Sequence, residues 1–295
     1  MKRTLNNIAA ALLILCVGNP QALKAQLYEK QRNGILIHNV LSNALISGIG
    51  GAINKKEGQK LHHAFFSNFL KGMAGGLIKY SAKYNVYVLN NQALGFYAPI
   101  NRLQFFVGHS ITMNAAHNRK FLQTFYCNFY GIDLRYNDPR TEGLSARISL
   151  ATVLQSAYFA ANGDKLNLFR SLEYGLLFFE SSGSRLPSQA QAGFNAVAFH
   201  NSPAVPIDLG VLPHELVHTY QMYDYFGIAA MYNEAEQKFL HRSKFYQNFS
   251  KIFVADYEVL FFTAAYLLQP QPRYFNNFFE FEAHHFQTRS FLRRR

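Results

Sequence analysis

At 295 residues the chain is long enough to bury a full hydrophobic core, as one or two domains. Its 49% apolar, 16% aromatic and 16% charged residues, with 28 Phe, 18 Tyr and no Trp, exclude a disordered chain. The formal charge of +12 comes without a helix-turn-helix, zinc-finger or RNA-binding signature, so no nucleic-acid partner is expected. An anionic membrane surface or envelope polymer is the more economical use of that charge.

Residues 1–25 begin with Lys2 and Arg3, continue through an apolar run from Ile8 to Val17, and end in Ala22-Leu23-Lys24-Ala25. This is the layout of a secretory signal peptide cleaved after Ala25, and it implies export to the periplasm, the outer envelope or the medium. Loss of Lys2, Arg3 and Lys24 with the leader lowers the formal charge from +12 to +9. Cys16 lies in the leader, so Cys127 is alone in the mature chain and no intramolecular disulfide is available.

Residues 26–83 form a Gly-rich segment expected to be helical. Gly48, Gly50 and Gly51 interrupt one apolar run and Gly72, Gly75 and Gly76 another, while Phe65, Phe66, Phe69, Leu70 and Met73 recur at near-helical spacing. Ser47 and Gly51, like Gly72 and Gly76, lie four apart, which lets two helices approach closely. Two readings stand: a hairpin that inserts into a membrane or makes peripheral membrane or envelope contact through residues 34–80, or a soluble helical hairpin. The shortness of the runs favours the second.

Residues 84–210 read as β-rich. Tyr84–Leu89, Leu103–Val107, Phe129–Tyr136, Leu144–Leu154 and Leu166–Phe179 are β-branched, aromatic or alternating runs. Turn signals separate them at Asn137-Asp138-Pro139 and Asn162-Gly163-Asp164. A mostly antiparallel sheet is expected. His109 and His117 fall here and read as structural histidines. Ala192–His200 reads as one more short strand, and a Pro-containing loop leads from it to residue 211.

Residues 211–295 carry the chemistry. In His214-Glu215-Leu216-Val217-His218 the two histidines lie on one helix face and can present two imidazoles to one metal ion. Glu215 stands where a general base must be, within reach of a water activated by that metal. Leu216 and Val217 suit a buried helix beneath a site rather than a surface helix with two unrelated histidines. Gly227 is expected to end it. The apolar stretch Ile252–Leu268 contains Asp256 and Glu258, so a buried helix stopped by Pro270 and Pro272 is expected rather than a membrane span.

This motif resembles the zinc-binding helix of the zincin metallopeptidases, with the difference that Pro213 directly precedes the first His. The resemblance implies zinc held by His214 and His218, with Glu215 as general base, and makes Ala192–His200 the candidate edge strand that pairs with extended substrate. An ordinary internal strand is the alternative there. A third protein ligand is required. Phe279-Glu280-Phe281-Glu282-Ala283-His284 is similar to the Glu-Phe-x-Ala-Asp segment of the CAAX-protease-like zinc peptidases, which makes Glu280 the ligand and Ala283 the small packing residue. Glu282, Asp224, Glu234 and Glu236 stand as the other candidates. His284 replaces that family's Asp and shares a helix face with Glu280, so it is either a catalytic hydrogen-bond donor or a surface histidine. Tyr220 and Tyr274 are further candidate donors.

The resulting expectation is an α+β, zincin-like fold: a mostly antiparallel sheet, then an active-site helix and a helical C-terminal half. Its function would be gluzincin-type, zinc-dependent hydrolysis of a peptide or protein substrate. The alternatives are a non-catalytic envelope protein on the same scaffold and a zinc hydrolase of a non-peptide bond.

Overall fold

The computed structural model describes residues 31–89, 94–138, 143–181, 190–200, 211–269 and 277–292. The expectations resting on the leader, Cys16, Pro270, Pro272, Tyr274 and the Glu234 side chain lie outside what is described. The fold is α+β, mostly helical with two small mixed sheets.

Helices α1 (Gln31–Ile53) and α2 (Leu61–Leu89) form a hairpin, turned by a linker in which Gly58 takes a φ of 75°. Small residues set their separation. A Cβ added at Gly72 would lie 2.6 Å from Ser47 Cβ and 2.7 Å from the Asn43 carbonyl oxygen. One at Gly76 would lie 3.0 Å from the Asn39 carbonyl oxygen. The expected close approach is therefore present. Within α1, Gly34–Ile53 is long and apolar enough to cross a membrane or serve as an anchor, yet 56% of its most apolar stretch is buried within the protein.

Helix α3 (Leu94–Ala116) packs on both members of the hairpin. Tyr84–Leu89 and Leu103–Val107 are therefore helical, not strands. Short aromatic and β-branched runs do not separate a strand from a buried helix, and the burial settles the matter here. Lys79, Ala82, Lys83 and Val86 are buried at helical spacing, as are Ala98, Asn101, Arg102, Phe105, Phe106 and His109.

The first sheet joins β1 (Phe125–Phe129), β2 (Ile132–Tyr136), β3 (Leu144–Ser149) and β8 (Phe253–Val254) in that order. The run Phe129–Tyr136 breaks at Tyr130-Gly131, where φ values of 57° and 81° give the tight turn of a two-residue hairpin. Leu144–Leu154 is half strand and half helix. Ser149 ends β3 and caps α4 (Leu150–Ala161), accepting from the Thr152 N–H. Helix α5 (Leu168–Tyr174) replaces another expected strand for the same kind of reason: Asn167 caps its start, and Gly175, at φ 70°, its end.

The second sheet runs β4 (Lys165–Leu166), β5 (Leu177–Ser181), β7 (Ala196–His200), β6 (Ala190–Gly193). The expected strand Ala192–His200 is thus a hairpin. Its second half, β7, is internal, and β6 is the edge, because Asn195 takes a φ of 57° and reverses the chain. After it come α6 (Val211–Gln221), a 3₁₀ segment (Met222–Ile228), α7 (Ala229–Arg242), α8 (Lys244–Ile252), α9 (Glu258–Leu267) and α10 (Phe278–Leu292). One core cluster runs from Val86 and Phe105 through Phe178 and Phe199 to Val217 and Phe286.

The α1–α2 contact yields a direct test. Gly72→Leu must push against backbone as well as Ser47, and we expect a loss of about 1–3 kcal/mol of stability in urea unfolding. An unchanged midpoint would contradict the close approach.

Candidate metal centre

All residues from Leu212 to Gln221 are buried, so α6 is a core helix and not an amphipathic surface one. Pro213 sits in its first turn, where its missing N–H costs nothing. Packed against α6 is α10, on which Ala283 is completely buried and Glu280 reaches the histidines.

Three donor atoms converge there. His214 Nε2 lies 3.0 Å from His218 Nε2 and 3.1 Å from Glu280 Oε2, and His218 Nε2 lies 3.4 Å from the same oxygen. Donors on a tetrahedron around zinc, with bonds of about 2.0–2.1 Å, lie about 3.3–3.4 Å apart. The spacing therefore fits a zinc ion with little rearrangement. His214, His218 and Glu280 could hold a metal ion, and all three are buried.

The tautomer of His218 follows from its neighbour. Gln221 Nε2 donates to the Phe279 carbonyl at 2.9 Å and to Glu282 Oε2 at 2.8 Å, which turns Gln221 Oε1 toward His218 Nδ1 at 2.7 Å. The Nδ1 then carries a proton, which leaves Nε2 as the atom turned toward the centre and, once deprotonated, the one that would ligate a metal. Glu280 is fixed from its other side by Tyr266, whose hydroxyl donates to Oε1 at 2.6 Å. Burial alone would raise the Glu280 carboxyl, but hydrogen bonds from His214, His218 and Tyr266 hold it far below the usual carboxylate range.

Glu215 lies beside the triad and accepts a hydrogen bond from the Ala192 N–H of β6. Burial raises its carboxyl above the ordinary value, with partial relief from the two histidines. A base of raised affinity for protons is thus held next to the donor cluster. His214, Glu215, His218, Glu280 and His284 line a cleft of about 810 Å³, bordered by β6 on one side and by Val259, Phe262 and Tyr266 of α9 on the other.

The remaining candidates separate by position. Glu282 faces away from the histidines, accepting from Asn39 at 2.6 Å and from Lys83 at 3.1 Å. Asp224 pairs with Lys79 at 2.9 Å and Lys83 at 2.6 Å. Glu236 lines a separate cavity near Asp256. Tyr220 stacks on Phe105 and receives a hydrogen bond from Asn101, outside the cleft. His284 does face the cleft, and its Nδ1 lies 3.1 Å from Gln287 Oε1. His109 is buried among Phe106, Tyr126, Tyr223 and Phe226, the structural role expected for it. Gln221, Tyr266 and Lys83 are site residues that the sequence does not single out. The i+3 spacing of Gln221 from His218 is the one signal available for any of them.

Comparison of the chain with protein-family profiles, curated proteins and solved structures finds no significant match to any of them.

The buried ion network has its own pH signature. Burial would raise Asp224, but Lys79 and Lys83 bring it down to about 2 from an ordinary 3.8. Its stabilisation is full above the ordinary value and is lost as the pH falls through the folded one. The stability gap between wild type and Asp224→Asn should therefore close between about pH 4 and pH 2. A gap that stays constant across that window would remove Asp224 from the account.

Proposed function

We propose that the chain is an exported, zinc-dependent hydrolase of peptide bonds, built on a zincin-like arrangement. One observation carries this reading: a His-His-Glu donor set at zinc spacing, with a buried carboxylate beside it, on the floor of an open cleft with a sheet edge along its rim. The resemblance of His214–His218 and of the Glu280 segment to zinc peptidases adds support. Export rests on the leader-like residues 1–25.

His214, His218 and Glu280 would hold the ion. Zinc, when bound in such a set, supplies Lewis-acid polarisation of a carbonyl and lowers the pKa of water. The protein's own groups do the rest. Strand β6 borders the cleft and has no strand partner on its outer side among the described residues, which suits an extended peptide added to the sheet edge. Glu215, its affinity for protons raised by burial, removes a proton from the attacking water and returns it to the leaving nitrogen. The Ala192 N–H holds that carboxylate in place and links it to the strand expected to carry the substrate. His284, which lines the cleft, would be a hydrogen-bond donor to the developing negative charge, while the Tyr266 hydroxyl stays committed to Glu280.

Two variants test this. Glu215→Gln should retain one zinc per chain while peptide hydrolysis falls about 10²–10⁴-fold, read by elemental analysis and a peptide-cleavage assay. Undiminished turnover would sink the mechanism. Gln221→Ala should weaken zinc binding by about 10–100-fold in a competition titration, because His218 loses the partner that sets its tautomer. An unchanged affinity would show that Gln221 only packs.

A further inference from the structure

Helix α8 differs from the other described helices in having no buried residue. Phe245, Phe249 and Ile252 recur at i, i+4 and i+7 with Tyr246 beside them, so its apolar side is one continuous stripe. That stripe faces outward: Phe245 is 78% exposed and Ile252 56%. Lys244 and Lys251 are exposed on the polar side of the helix.

The apolar surface continues beyond α8. Phe239 of α7 packs its ring 5.1 Å from that of Tyr246, and Tyr246 shares a hydroxyl hydrogen bond of 2.8 Å with Tyr257. Phe239, Tyr246, Tyr257, Leu260 and Phe261 line a shallow groove of about 410 Å³, and Leu260 of α9 is 67% exposed. Glu236 also lines this groove, but the exposed charges around α8 are basic. Lys238, Arg242, Lys244 and Lys251 are all exposed, and no Asp or Glu occurs between Gln237 and Ala255.

That combination selects the occupant. A second copy of the chain would bring two such basic rims together, in a protein that keeps a formal charge of +9 without residues 1–25. Polyanions such as nucleic acid would leave the apolar stripe in water. An anionic bilayer satisfies both features: rings enter the boundary between headgroups and acyl chains, and the flanking lysines meet phosphates.

We propose that α8, with the exposed sides of α7 and α9, is a docking surface for anionic phospholipid membranes. Helix α9 turns Val259, Phe262 and Tyr266 toward the cleft, so docking through its other side holds the cleft next to the bilayer. The surface is independent of the metal centre.

The test is co-sedimentation of the full chain with vesicles of phosphatidylcholine alone and of an equimolar mixture with phosphatidylglycerol. Binding to the anionic vesicles only, and its loss at high salt, is expected. Lys244→Gln combined with Lys251→Gln should weaken it by roughly fivefold per lysine removed. Phe245→Ser combined with Ile252→Ser should reduce it at least as much. All four residues are exposed, and circular dichroism establishes that both variants stay folded. Absent binding, equal binding to neutral vesicles, or anionic binding indifferent to the Phe245 and Ile252 changes would overturn the proposal. So would a dimer that the same changes dissociate, since the stripe would then be a self-association face.

Discussion

Glu282 is the group on which the arrangement of the site depends. Its carboxylate is almost completely buried and accepts from Lys83 on α2, Asn39 on α1 and Gln221 at the end of α6. A buried charge with three partners on three elements cannot shift without stranding itself or one of them. Breaking such a pair costs about 3–5 kcal/mol, far more than a surface bridge. The helix bearing Glu282 is thereby locked in register with α6 and the hairpin. Glu280, two residues earlier on that helix, is delivered to the histidines by the same lock.

The lock and the donor set share members. Gln221 accepts a hydrogen bond from His218 Nδ1 with its oxygen and donates to Glu282 with its nitrogen, so one amide side chain connects the centre to the ion network. Lys83 bridges Glu282 and Asp224, and Lys79 also pairs with Asp224, which leaves two lysines against two carboxylates. Burial alone would lower both lysines. The two carboxylates hold Lys83 above the usual value, whereas Lys79, with the weaker compensation, stays below it. Glycines and Ser47 matter here because they bring α1 close enough to α2 for Asn39 and Asn43 to reach Lys83 and Lys79.

The sequence makes legible whatever a short period encodes. The spacing of His214 and His218 puts both rings on one face of any helix, and Ala283 marks a close helix contact three residues after Glu280. The glycine pattern of the hairpin is legible for the same reason. Tyr84–Leu89 of α2 and Leu103–Val107 of α3 read as strands because they are short aromatic and β-branched runs, and the buried Lys79, Lys83, Asn101 and Arg102 beside them look like solvent-facing positions until their partners are known. Arg102, for instance, is satisfied by the Asn195 side chain and the Asn128 carbonyl, far along the chain. Tyr266 and Lys83 are invisible as site residues on the same ground. Their contacts are set by packing, and no local pattern announces them.

The central claim is that His214, His218 and Glu280 bind zinc together. X-ray absorption at the zinc edge, on the full chain loaded with one equivalent of zinc, tests it most directly. Two imidazole nitrogens and oxygen donors at about 2.0–2.1 Å are expected. A sulfur scatterer at about 2.3 Å from Cys127, or zinc lost on simple dialysis, would contradict it.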